Sequence, residues 1–242
     1  MTVDGTRGLP RLHVIVGDGI LVARDYRERL RPLLEAGEAG LALHLRARET
    51  SAARLFEVAC WLAGTAKAYG TMVIVNDRVD VALASGAAGV HLREDSIPPP
   101  LAREIADAAE ARGGRALPGR ADDVEARRGR FFVGRSIHAP PQAAGRSGDG
   151  LDYLVVGAVY PTRSHPGGRS IGTGAVADTV RAADLPVLAI GGIEPATASV
   201  QVSLGAHGIV VLSGVWRTPD PPAAVTRYLE VLPGQRHTED TT

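Results

Sequence analysis

Two arginines, Arg46 and Arg48, stand one residue apart at the end of an apolar run. Their alternation with Leu45 and Ala47 turns both guanidinium groups to one side of an extended segment. Such a pair suits a carboxylate or a phosphate, and equally a salt bridge to Glu49 or a neighbouring helix. Asn76-Asp77 follows a second run, where Asp77 can ligate Mg2+ or cap the helix that begins at Arg78. Ser136 and His138 follow a third run. An imidazole exchanges protons near neutrality, which makes His138 the candidate general acid/base. Thr162, Arg163, Ser164 and His165 follow a fourth run, and two further runs close with Gly191-Gly192 and Ser213-Gly214. These small residues let backbone N–H groups approach an anion just ahead of helices whose positive ends favour it, although tight turns alone would use the same residues. His13 and His91 fall inside runs, where they can fill the interior, and His44 can point inward near a ligand. The chemistry indicated is proton transfer on an anchored, phosphorylated small molecule.

These residues need a scaffold that brings the ends of several strands together. Eight short apolar runs are spaced along the chain: Leu12–Val16, Ala42–Arg46, Thr71–Val75, Gly89–Leu92, Phe131–Gly134, Tyr153–Gly157, Val187–Ile190 and Gly208–Leu212. Most are nearly continuous in apolar residues, as strands covered on both faces must be. Between them lie Ala-, Leu- and Arg-rich stretches with helical spacing, predicted near residues 24–36, 52–69, 78–86, 98–113, 139–146, 173–183, 194–204 and 219–231. The alternation predicts an α/β fold, a single (β/α)8 TIM barrel with eight parallel strands. A six-stranded doubly wound sheet would leave two strand signals unused and lacks a Gly-x-Gly-x-x-Gly turn after the first strand. The barrel is expected over residues 11–233, with an N-terminal extension at 1–10, a disordered tail at 234–242 and an extra helical turn within 113–130. In such a barrel the reactive groups come from the C-terminal ends of the strands, where every candidate above falls.

Composition narrows the partners. Lys plus Arg and Asp plus Glu are both 27, so the basic footprint of a nucleic-acid or anionic-membrane binder is missing. The single cysteine, Cys60, supports no internal disulfide, and the first ten residues lack the apolar run of a signal peptide. The expectation is a cytoplasmic enzyme acting on a small molecule, without nucleic acid or membrane as partner, and assembled as a homo-oligomer. Lys67 is the only lysine.

Taken together, these motifs resemble the thiamine phosphate synthase and thiazole tautomerase superfamily, (β/α)8 barrels of thiamin biosynthesis. Arg46-Ala47-Arg48 is similar to an Arg-x-Lys element after the second strand, Asn76-Asp77-Arg78 to an Asn-Asp-Arg segment, and Gly134-Arg135-Ser136-Ile137-His138 to a Ser-x-His element. Gly191-Gly192 and Ser213-Gly214 correspond to the phosphate-binding ends. The resemblance implies that Arg46, Arg48, Asn76, Ser136, Thr162, Ser164, Gly191, Gly192, Ser213 and Gly214 bind substrate and its phosphate.

Departures from the pattern choose between members. Synthases carry Gly-Gln-x-Asp in the fourth loop, and its aspartate helps hold Mg2+; this chain reads Arg93-Glu94-Asp95-Ser96. Arg48 and His165 stand where lysines are usual. These changes point to a thiazole tautomerase that needs no cofactor, in which His138 moves the proton that aromatises a carboxythiazole phosphate. The alternative is thiamine phosphate synthase, with Mg2+ on Asp77 and Asp95 as a substitute ligand, joining hydroxymethylpyrimidine diphosphate to thiazole phosphate. A third reading is a regulator that binds thiazole phosphate without turnover.

Overall fold

The computed structural model describes residues 8–112, 131–162 and 170–232. Eight strands close into an all-parallel barrel in sequential order: β1 (Leu12–Gly17), β2 (Leu41–Arg46), β3 (Met72–Asn76), β4 (Gly89–Leu92), β5 (Phe132–Ile137), β6 (Tyr153–Gly157), β7 (Val187–Ile190) and β8 (Gly208–Val211). Nine helices connect them among the described residues: α1 (Asp18–Leu21), α2 (Tyr26–Gly37), α3 (Ala52–Ala66), α4 (Val79–Ser85), α5 (Pro99–Ala111), α6 (Gly172–Ala182), α7 (Pro195–Ser203), α8 (Ser213–Trp216) and α9 (Pro221–Val231). The single (β/α)8 barrel is therefore the fold.

Strand alternation divides the apolar residues into two cores. Ile15, Ala42, Ile74, Tyr153, Val155, Leu188 and Val210 fill the barrel with Leu9. Their neighbours Val14, Val16, Leu43, Leu45, Val73 and Val75 pack outward against the helices. The inward set fixes the mouth. Arg46 lies two residues past His44, Asn76 two past Ile74, Ser136 two past Gly134 and Gly157 two past Val155, so the inward row of each of these four strands ends on a residue that lines the cavity at the barrel mouth.

Several boundaries differ from the sequence expectation. β5 runs on to Ile137, which places Ser136 within the strand. The helix expected at 139–146 is two 3-10 turns, Pro140–Ala143 and Arg146–Asp149. Pro140-Pro141 removes early N–H donors, and Gly145 and Gly150 sit at φ 67° and 75°, so an α-helix cannot propagate there. Barrel packing also begins before residue 11. Leu9 is fully buried and its carbonyl accepts from His207 Nε2 at 2.9 Å. The extra turn expected within 113–130 and the tail at 234–242 lie outside the described residues.

Gly134 carries a specific packing demand. A Cβ built there would lie 2.0 Å from Tyr153 Cζ, against the hydroxyl-bearing end of a fully buried ring. Gly134→Ala is expected to destabilise the barrel by about 1–3 kcal/mol, the usual range for overpacking, read as a lower urea midpoint at unchanged m-value.

Candidate active site

The C-terminal ends of the strands enclose a cavity of about 670 Å³. Its rim carries Arg46 at the end of β2 and Arg48 beyond it, Arg93, Glu94 and Asp95 after β4, and His138 after β5. Its floor is Ile15, His44, His91 and Val155. The β7 and β8 side combines the apolar Ile190, Ile193, Val210, Val211 and Leu212 with the small residues Gly191, Gly192, Ser213 and Gly214. Gly191 and Gly192 have φ of 103° and 66°, a backbone path that non-glycine residues rarely follow.

The floor is a column of imidazoles. Inward positions on β1, β2 and β4 put His13 and His44 at 4.9 Å between ring centroids, and His44 and His91 at 5.4 Å, with Tyr153 stacked on His91 at 5.6 Å. The hydrogen bonds fix tautomers. The Pro10 carbonyl can only accept, so His13 Nε2 donates to it at 3.0 Å. His13 Nδ1 is then an acceptor, and His44 Nε2–H donates to it at 2.7 Å. The Asn76 amide lies beside His44, and His91 Nε2 is bonded to Ser136 Oγ at 2.9 Å. Burial pushes His13 and His44 well below the usual imidazole value, with repulsion from a neighbouring histidine adding to it. Burial also lowers His91 to about 3, and His13 and Arg46 push it the same way. The column is neutral. Asn76 Oδ1 and His91 Nδ1 are buried without a hydrogen-bond partner, which suits a floor that completes its bonds with a polar heterocycle.

The rim is cationic. Arg46 is half-buried, and neither its guanidinium nor that of Arg48 forms an ion pair among the described residues. Burial lowers the Arg46 pKa, repulsion from Arg48 and Arg93 lowers it further, and Asp77 and Asp18 offset this only in part. A half-buried cation among like charges is a site awaiting an anion. Asp18, from the short α1 that sequence reading missed, holds the loop that carries Arg48. Its carboxylate accepts the backbone N–H groups of Arg48, Glu49 and Thr50 at 2.9–3.2 Å and the Thr50 hydroxyl. Burial works against the charged form of Asp18, but these bonds outweigh it and lower its pKa.

On the β4 side, Asp77 adopts φ 62° and its carboxylate is fully engaged. Oδ1 accepts the Arg93 backbone N–H at 3.0 Å and the Ser96 hydroxyl, and Oδ2 accepts Arg93 Nε at 2.8 Å. Asp77 therefore caps no helix. This donor set does not fit Mg2+. Both carboxylate oxygens are held by donors, the second acidic position is Ser96, and among the described residues no three His, Cys, Asp or Glu side chains converge to hold a metal. Asp95, the substitute ligand considered from sequence, is exposed and 3.6 Å from Arg93 Nε.

His138 donates from Nδ1 to the Gly157 carbonyl at 3.2 Å, and its Nε2 lies 3.6 Å from Glu94. Gln142 ties this corner together. Its Oε1 accepts the N–H groups of His138 and Ala139, and its Nε2 donates to Glu94 Oε1 at 2.6 Å.

The cavity thus gathers Arg46, Arg48, Asn76, Ser136, His138, Thr162, Gly191, Gly192, Ser213 and Gly214. Ser164 and His165 lie outside the described residues. Sequence reading underrated His91 and missed Arg93 and Glu94. Arg93 continues the inward alternation of His91 one step beyond β4, and that spacing is the signal that could have found it. Among the described residues no helix is long and apolar enough to cross a membrane.

A model of the thiamine monophosphate synthase family matches residues 12–111 and 117–215. The chain is 37% identical over 196 residues to a thiamine-phosphate synthase of Roseiflexus castenholzii, covering 81% of this chain and 76% of that one. It is 34% identical over 218 residues to the thiamine-phosphate synthase of Haloquadratum walsbyi, covering 87% and 88%. Among solved structures, a thiamine phosphate pyrophosphorylase from Pyrococcus furiosus superposes with a TM-score of 0.72 at 28% identity, covering 93% of this chain and 96% of that one. These relatives overturn the tautomerase expectation. It took Arg48, Ser96 and His165 as marks of a site that handles a single phosphate. The geometry removes that premise, because Arg93 joins Arg46 and Arg48 at the rim and Ser96 is committed to Asp77. The chain belongs to the thiamine monophosphate synthase family.

Proposed function

We propose that this chain joins a hydroxymethylpyrimidine diphosphate to a thiazole phosphate, giving thiamine phosphate and pyrophosphate. The observation that carries this reading is a cavity with two separate anion-accepting sectors, guanidinium groups after β2 and β4 and small-residue main chain after β7 and β8. A carboxythiazole phosphate would also place an anion in each sector, and it is the thiamine-phosphate synthase relatives that favour the coupling over a reaction on that substrate. In the coupling, the lone pair of the thiazole nitrogen forms a bond to the exocyclic methylene carbon of the pyrimidine. The C–O bond to the diphosphate breaks, and its electron pair leaves with pyrophosphate. Arg46 and Arg48 hold the diphosphate and stabilise the charge that builds on the leaving oxygen. Gly191, Gly192, Ser213 and Gly214 hold the thiazole phosphate, with Thr162 beside them. Asn76, His44 and His91 offer hydrogen bonds to the heterocycle above the neutral floor, and Ser136 fixes His91. No step is assigned to a metal.

Incubating the purified protein with both substrates is expected to yield thiamine phosphate and pyrophosphate in equal amounts, resolved by chromatography. Absence of product with and without Mg2+ would remove the reading. Making the thiazolium nitrogen removes no proton, so His138 is a cavity-wall residue here. His138→Ala is expected to lower kcat/KM by less than about tenfold, whereas loss of a general acid/base costs about 10²–10⁴. A steady-state comparison showing a thousandfold loss would return proton transfer to His138.

A further inference from the structure

We propose that Arg93 takes the place of a divalent cation in this chain, binding the diphosphate together with Arg46 and Arg48, so that diphosphate binding is independent of Mg2+. The inference rests on the coupling reading above and concerns the same site.

Three observations carry it. The carboxylate at the end of β3, Asp77, spends Oδ1 on the Arg93 N–H and the Ser96 hydroxyl and Oδ2 on Arg93 Nε. A hard cation that prefers several oxygen ligands would have to displace that ion pair, and Ser96 offers no charge to replace it. The second observation concerns Arg93 itself. It borders the cavity, and with Nε bound to Asp77 its two terminal nitrogens have no partner among the described residues. Asp77 acts as a splint that aims the planar fork, which is the arrangement that binds phosphate oxygens in pairs. Third, the other acids near this rim are engaged by protein groups. Glu94 accepts from Gln142 and lies 3.6 Å from His138 Nε2, Asp95 faces Arg93 at 3.6 Å, and Asp18 is bound to the loop at residues 48–50. The carboxylates therefore position cations and do not assemble around one.

Inorganic pyrophosphate, titrated calorimetrically into the full chain, decides the matter. The dissociation constant is expected to agree within about threefold between EDTA and Mg2+ buffers, and Arg93→Gln in EDTA is expected to weaken binding by about tenfold to hundredfold, the usual loss of a charged hydrogen-bonding partner. Arg93→Lys keeps the charge without the fork and should fall between the two. The wild-type comparison stands even if a variant fails to fold. Wild-type binding more than tenfold tighter in Mg2+ than in EDTA would overturn the inference, as would an Arg93→Gln protein that binds metal-free pyrophosphate as the wild type does. Coupling activity is scored separately. Product in neither buffer removes the synthase reading and leaves the pyrophosphate titration to decide the role of Arg93.

Discussion

Arg46→Ala is expected to lower kcat/KM for coupling by about 10²–10³, the loss typical of removing one preorganised donor from a developing negative charge. Its position makes it the largest single-residue effect on the rim. Arg46 ends the inward row of β2, half-buried, and its charged state is already held against burial and against Arg48 and Arg93. No carboxylate pairs with it among the described residues, so an incoming diphosphate relieves a repulsion and does not have to break a bond. Arg48 offers a contrast within the same motif. It is exposed, so solvent screens its charge, and Arg48→Ala should cost about tenfold or less. Arg46→Lys should recover only part of the rate, because an ammonium cannot reproduce a two-point contact with phosphate oxygens. Steady-state kinetics on the three variants test the ordering. An Arg46→Ala enzyme within threefold of wild type would move the diphosphate away from β2.

The barrel was legible because each strand is buried on both faces and so reads as a nearly uninterrupted apolar run, and because alternation within those runs has one period everywhere. Arg46, Asn76 and Ser136 could be placed at the mouth on that ground alone, and the cavity brings them together. The helix expected at 139–146 failed where local chemistry opposed the pattern, with a proline pair at its start and the left-handed Gly145 near its end. The Asp77–Arg93–Ser96 arrangement was not legible at all. Asp77 is sixteen positions from Arg93 in sequence, and only the parallel pairing of β3 with β4, Asn76 opposite His91, brings the two loops together. That long-range contact also explains why the motif comparison misdirected the functional reading. Residue by residue, Arg93 and Ser96 look like the loss of a metal site, while in space Arg93 forms an ion pair with Asp77 and the Ser96 hydroxyl donates to the same carboxylate. The histidine column was only half visible, since alternation predicts inward histidines but not that one carbonyl, that of Pro10, sets the tautomers of His13 and His44.

That column makes the protein acid-sensitive. His13, His44 and His91 are all held below the imidazole reference of 6.5, His91 at about 3. Unfolded chains take up a proton on each histidine as pH falls through 6.5, whereas the folded state does not until far lower. Stability is therefore complete above pH 6.5 and is lost as pH falls below it, by about 1.4 kcal/mol per pH unit for each histidine that titrates only when unfolded. At pH 5, His91 alone removes about 2 kcal/mol, a large fraction of a typical margin of about 5–15 kcal/mol. The carboxylates with lowered values, Asp18, Asp80 and Asp184, act only below their reference of 3.8, so the histidines dominate the window from 6.5 to 5. Urea midpoints at pH 7 and pH 5 should show the loss, and His13→Gln, which keeps a hydrogen-bonding side chain without a titrating one, should flatten the slope by about one proton. Equal midpoints at the two pH values would mean that the column opens to water and charges in place. In the coupling proposed above, the same neutrality would suit a product that carries a thiazolium charge. Protonation of His44 or His91 would set a buried positive charge in the wall of the same cavity.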